Sequence, residues 1–128
     1  MATDIKTVLA ITKALADENR LRALHALTQG ELCSANLMKV LELAPSTVSK
    51  HMSVLRQANL VQVRRDGRWT YYRLPGRKAD KQVKQVIAWV KASVSPTDRA
   101  RSDNRRVRSV LGRNRKRPAA VYRAADTA

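Results

Sequence analysis

Phenylalanine is absent from this 128-residue chain, and two tryptophans and three tyrosines are its only aromatic residues. A core must therefore be built from Leu, Val, Ala and Ile, a composition that favours helices. A single cysteine excludes an intramolecular disulfide and fits a reducing compartment. Gly and Pro number only four each, so each one is informative punctuation. No apolar run approaches the roughly 18 residues of a membrane span, and the N-terminus lacks a signal-peptide pattern, so a cytoplasmic protein is expected. Acidic residues are also scarce, 10 against 26 Lys+Arg, leaving a formal net charge of +16. That excess exceeds what solubility requires and implies a polyanionic partner; nucleic acid, an anionic membrane surface or an acidic protein would each satisfy it. The length suits one core with a tail.

What is present centres on residues 44–60, APSTVSKHMSVLRQANL. Pro45 suits a first helical position, where its missing N–H would be unpaired anyway. Val48, Met52 and Leu55 recur at helical spacing for a core, leaving Ser46, Thr47, Ser49, Lys50 and His51 to face outward. Hydroxyls at the head of a helix reach base edges in a major groove, and Lys50, His51 and Arg56 suit phosphate oxygens. An ordinary solvated helix face is the alternative reading of this segment alone, so its neighbours decide.

Before it, Ile5, Val8, Leu9, Thr12 and Leu15 predict a first helix after Asp4, and Asp17 predicts an N-cap for a second over 18–28, with Arg20 and Arg22 facing solvent or a partner. Gly30 ends that helix, residues 31–33 are extended, and Ser34 is the expected N-cap of a third helix over 35–43. Two short helices across a tight turn, the second polar outside, make a helix-turn-helix. After it, residues 61–74 change period to two around Asp66-Gly67, the signal of a two-stranded wing. Arg64, Arg65 and Arg68 crowd its tip, where phosphate or a narrow minor groove would offset their repulsion. Trp69, Tyr71 and Tyr72 are expected to pack rather than stack on bases. Residues 81–94 form the last expected helix, with an apolar stripe of Val83, Val86, Ile87, Val90 and Val94; part of it, Val83, Ile87 and Val90, is expected with Val8 of the first helix to bury against a second copy. Residues 1–95 are thus read as a DNA-binding and dimerisation domain. Residues 96–128, with ten Lys+Arg and three Asp, are read as a basic, flexible tail, disordered or marginally helical with Val107, Val110 and Leu111 as a short apolar face, that contacts phosphate.

In that order, the segments 16–22 (ADENRLR), 30–33 (GELC), 46–51 (STVSKH) and 64–74 (RRDGRWTYYRL) closely resemble the ArsR/SmtB family of bacterial winged-helix repressors. The resemblance covers roughly residues 5–92. It implies a homodimer joined through the first and last helices, with two recognition helices in successive major grooves of a palindromic operator on double-stranded DNA, released by an inducer. One departure is informative. Arsenic-responsive members carry a second thiolate two residues after the first; here Cys33 matches the first and Ala35 stands at the second, with Met38 at a further position. A thiolate with a thioether is a poor site for a soft trivalent ion. Other members bind zinc through Asp, His and Glu on the last helix, and residues 81–94 contain none of these. No metal or other cofactor is therefore expected. Cys33 is read as a buried structural thiol, with modification by an oxidant or electrophile as the alternative. No nucleophile–base pair or phosphate loop occurs, so no catalytic residue is assigned and an enzyme is not expected. The expected fold is mainly α with a small β-hairpin, a winged helix-turn-helix in the order α-α-α-α-β-β-α, and the expected function is sequence-specific repression. A sequence-tolerant architectural or nucleic-acid-coating protein is the alternative.

Overall fold

Two aspartates start the first two helices of the computed structural model, which describes residues 4–114. Asp4 accepts from the backbone N–H of Lys6 at the head of α1 (Ile5–Leu15), and Asp17 accepts from Asn19 and Arg20 at the head of α2 (Glu18–Leu27). Each satisfies donors that a first helical turn leaves without an intrahelical acceptor. α1 buries Ile11 and Ala14, while Ile5, Val8 and Leu9 stay exposed. α2 is buried continuously from Arg22 to Leu27 and forms the axis of the core.

Gly30, at φ 144°, takes a conformation that side-chain-bearing residues rarely adopt and leads into β1 (Leu32–Cys33). α3 (Ser34–Leu41) follows at once; Cys33 occupies its N-cap without a side-chain bond, so Ser34 is the first helical residue rather than the expected cap. Glu42 closes α3 in the left-handed conformation, and the N–H of Leu43 donates to the Met38 carbonyl at 3.3 Å. Pro45 then opens α4 (Pro45–Gln57), whose Val48, Met52 and Leu55 are fully buried. The hairpin pairs β2 (Gln62–Asp66) with β3 (Trp69–Arg73) around Gly67, whose φ of 60° suits the tight turn. β1 adds to the far side of β3, with Leu32 opposite Tyr72 and Cys33 opposite Tyr71, giving the sheet order β1-β3-β2. An extended stretch was expected at residues 31–33; its pairing was not. α5 (Lys81–Val94) lies against α2.

The largest departure from the sequence reading is α6 (Asp98–Asn114), a stable 17-residue helix where a disordered or only marginally helical tail is expected. Ala100, Asp103, Val107 and Val110 are buried against α2 and α3, so this segment completes the core instead of trailing from it. Residues 115–128 of the expected tail lie outside the described residues. Arg22 is the counterpart of this correction. Rather than facing solvent or a partner it is buried, donating from Nε and Nη2 to the two Asp103 carboxylate oxygens at 2.9 Å each, and from Nη1 to Asn19 Oδ1 at 2.9 Å. Those hydrogen bonds hold its guanidinium above the usual arginine range against the opposing effect of burial. His25 is also buried at the α2–α5 contact, its Nε2 2.9 Å from Ser95 Oγ, and burial pushes its pKa down from the usual histidine value.

Asp103→Ala is expected to cost about 3–5 kcal/mol of folding stability, because it leaves the Arg22 cation buried and unpaired. Chemical denaturation measures this. A loss below about 0.5 kcal/mol, as for an ordinary surface position, would mean that α6 is a dispensable tail.

Candidate nucleic-acid interface

Ala44, at the N-cap of α4, has no side chain with which to cap, so the head of this helix carries its partial positive charge uncapped. Pro45 sets the backbone there, and Ser46, Ser49 and Lys50 are exposed, sharing one face by their three- and four-residue spacing. Thr47 is half-buried beside them, and Arg56 is exposed at the far end of the helix. This is the polar outward face the sequence predicts, except that Thr47 is only partly exposed and His51 turns inward. His51 is half-buried, its Nδ1 3.4 Å from Arg20 Nη1 and 4.0 Å from Asp17 Oδ1, so its ring lies against the head of α2 rather than where a phosphate would sit. Burial acts to raise the Asp17 pKa, but backbone hydrogen bonds from Arg20 and Asn19, with the charges of His51 and Arg20, bring it below the usual carboxylate value. Asp17 therefore serves two helices: it caps α2 and faces the side chain of α4.

The wing divides its arginines. Arg65 and Arg68 are exposed near the turn. Arg64, expected at phosphate, instead donates from Nε and Nη2 to the two oxygens of Glu31 at 3.0 and 2.7 Å, and its guanidinium lies 4.2 Å over the Tyr71 ring. Glu31 is buried, so Arg64 anchors β2 to the residue preceding β1. The hydrogen bonds to Glu31 hold its pKa above the usual range. Tyr71 and Tyr72 are buried as expected, whereas Trp69 is 40% exposed at the start of β3.

A second face carries apolar groups. Val8, Leu9 and Ile5 of α1 and Trp89 of α5 are exposed at 40%, 51%, 76% and 60%, and Val8, Thr12, Val86 and Trp89 line a groove of about 300 Å³ between the two helices. Of the residues expected to bury against a second copy, only Val8 stands on this face. Val83 and Val90 are buried in the protomer's own core, and Ile87 is half-buried against it. Trp89 was missed. Its signal was present, because Gln82, Gln85 and Trp89 follow helical spacing with Val86, at the edge of the expected apolar stripe of α5. Cys33 is buried at 3% exposure beneath the sheet contact with Tyr71. Among the described residues no group of three or more His, Cys, Asp or Glu is placed to hold a metal ion, and no helix is long and apolar enough to cross a membrane.

Residues 17–63, from the cap of α2 into β2, match the family model described as bacterial regulatory protein, arsR family. The chain is 42% identical over 72 residues to the arsenic resistance transcriptional regulator ArsR1 of Pseudomonas putida, a match that covers 56% of each protein. It thus spans little more than half the length of the first curated relatives it matches. Among solved structures, HlyU of Vibrio cholerae is 30% identical with a TM-score of 0.61, covering 73% of this chain and 97% of that one. The homodimeric winged helix-turn-helix DNA-binding domain Mb0332 of Mycobacterium bovis, described as a possible ArsR-family transcriptional regulator, is also 30% identical with a TM-score of 0.61, covering 71% of this chain and 81% of that one.

The two kinds of wing arginine are expected to separate in thermal or chemical unfolding. Arg64→Ala should lower stability by about 1–3 kcal/mol, since Glu31 loses its partner while buried. Arg68→Ala should stay within about 0.5 kcal/mol of the unaltered chain. Equal effects would mean that the Glu31 pair does not anchor the wing.

Proposed function

The chain belongs to the arsR family of bacterial regulatory proteins, and from that premise we propose that it is a homodimeric, sequence-selective DNA-binding repressor acting in the cytoplasm. The observation that carries this reading is the head of α4: an uncapped helix start with Ser46, Ser49 and Lys50 exposed and Thr47 beside them, on a helix seated in the core by Val48, Met52 and Leu55. Hydroxyls and a lysine at that place suit base edges and the phosphates bordering a major groove. Arg65 and Arg68 on the wing and Arg56 on α4 are the phosphate contacts of this arrangement; Arg64 and His51 support it from within. Two copies joined through the exposed α1–α5 face would set two α4 helices on the half-sites of a palindromic operator about one helical turn apart.

The metalloid named for the Pseudomonas relative does not carry over. Cys33 is the chain's only thiol and is buried, and Ala35 offers no donor, so even two copies supply fewer thiolates than a soft trivalent ion takes. Regulation in this reading comes from another ligand, from chemistry at Cys33 or from protein abundance.

Fluorescence anisotropy against duplexes from the chain's own upstream region tests the function. At fixed salt, one palindromic fragment should bind about 10³-fold or more tighter than random duplex; equal affinity would make this a sequence-tolerant coating protein. On the preferred fragment Ser46→Ala and Thr47→Ala should each cost about 1–3 kcal/mol, and less on random duplex. Arg68→Ala should weaken both alike, since phosphate contacts carry little sequence information.

Trp89→Glu puts a charge on the open apolar face without disturbing the protomer core. Sedimentation is expected to show self-association weakened by about 2 kcal/mol or more, with the melting temperature of the protomer retained. A monomeric unaltered chain at micromolar concentration would rule this interface out.

A further inference from the structure

The turn between α3 and α4 sets the direction in which α4 leaves the core, and its first residue is held by a helix far along the chain. Glu42 sits at φ 58°, where a residue with a side chain is placed only when its surroundings hold it. Arg106 of α6 supplies that hold. Its Nη2 lies 3.0 Å from Glu42 Oε1, while its Nη1 donates to the Val40 carbonyl at 3.2 Å and to Asp103 Oδ1 at 3.1 Å. The Val40 carbonyl, which belongs to the last turn of α3 and has no acceptor role left within the helix, also receives Arg22 Nη2 at 3.4 Å. A planar guanidinium with several fixed donors reads one geometry of this turn and no other. The family match ends at residue 63, before α6 begins, so this clamp ties the matched segment to a helix outside it.

We propose that Arg106 and Glu42 are positioning residues for DNA reading: α6 fixes the α3–α4 turn and so aims α4, and choice among DNA sequences depends on a pair that need not touch DNA. This rests on the reading of α4 as the DNA-contacting helix. The sign of one substitution separates positioning from plain charge. Glu42 is an anion just ahead of α4, so if only its charge mattered, Glu42→Gln would reduce repulsion from phosphate and tighten binding to every duplex. A positioning role gives the opposite sign, with weaker binding to the preferred duplex alone. Likewise, were Arg106 a phosphate contact, Arg106→Gln would flatten the dependence of log affinity on log salt by about 0.9; a clamp leaves that slope unchanged.

Both side chains are partly exposed, at 31% and 65%, so the single variants keep the core intact, which their melting temperatures check. Glu42→Gln, Arg106→Gln and the double variant are compared in two measurements on the full chain. Amide hydrogen exchange of the free protein should quicken at Leu43, whose N–H donates to the Met38 carbonyl, in all three. Affinity for the preferred duplex should fall about three- to tenfold in each single variant and no further in the double, as for two partners of one interaction, with random-duplex affinity and salt slope unchanged. Tighter binding by Glu42→Gln, a flattened slope for Arg106→Gln, or unchanged exchange would each overturn the proposal. If the unaltered chain prefers no duplex, the functional reading fails on its own, and the exchange data still decide whether the clamp exists.

Discussion

The buried pair of Arg22 and Asp103 is the constraint on which the arrangement of the other helices depends. Taking both charges out of water is costly and is offset only when their hydrogen-bonding capacity is filled. Here it is: Arg22 spends its donors on both Asp103 oxygens, on Asn19 and on the Val40 carbonyl, and Asp103 also receives Arg106. The pair does not make the core much more stable than well-packed apolar side chains would. It does admit only one relative placement of α2, α3 and α6, because a bidentate fork is directional where a leucine contact tolerates sliding. α3 is thereby positioned from two sides, and α4, which follows it after a short turn, inherits that placement.

Much of this was legible in the sequence, and the parts that were share a cause. Asp17 as a cap, Pro45 at the head of α4, the inward Val48, Met52 and Leu55, and the Asp66-Gly67 hairpin are all encoded within a few residues of where they act. Local rules therefore find them. Arg22, Arg64 and His51 each looked like surface cations because the acids they meet, Asp103, Glu31 and Asp17, lie 81, 33 and 34 positions away. α6 was misread for a related reason. Its arginine-rich composition has the signature of a solvated tail, while its few buried residues, Ala100, Asp103, Val107 and Val110, include an acid that is apolar-like only because Arg22 neutralises it. Val83 and Val90 were placed on an open face because periodicity reports that a stripe is buried, not against what.

The same charge therefore does two kinds of work. Arg22, Arg64 and Arg106 are bound to carboxylates and organise the fold, whereas Arg56, Arg65, Arg68, Ser46, Ser49 and Lys50 face outward around α4 and the wing. The apolar excess is segregated on the α1–α5 side, around Val8 and Trp89. The polar face of α4 and the wing and the apolar α1–α5 face consequently lie on separate surfaces.

The distance in sequence between Arg22 and Asp103 also has a meaning in time. A chain growing at about 5–20 residues per second spends roughly 4–16 s between making the first and making the second. Throughout that interval α2 and α3 have an arginine with no acid to receive it, and the turn ahead of α4 has no Arg106 to hold it. α4 is thus synthesised some 40 residues before α6 and is secured only when α6 has been made. A polypeptide released before α6 was made would carry every residue of the helix-turn-helix and yet lack Asp103 and Arg106, the side chains that hold it from α6.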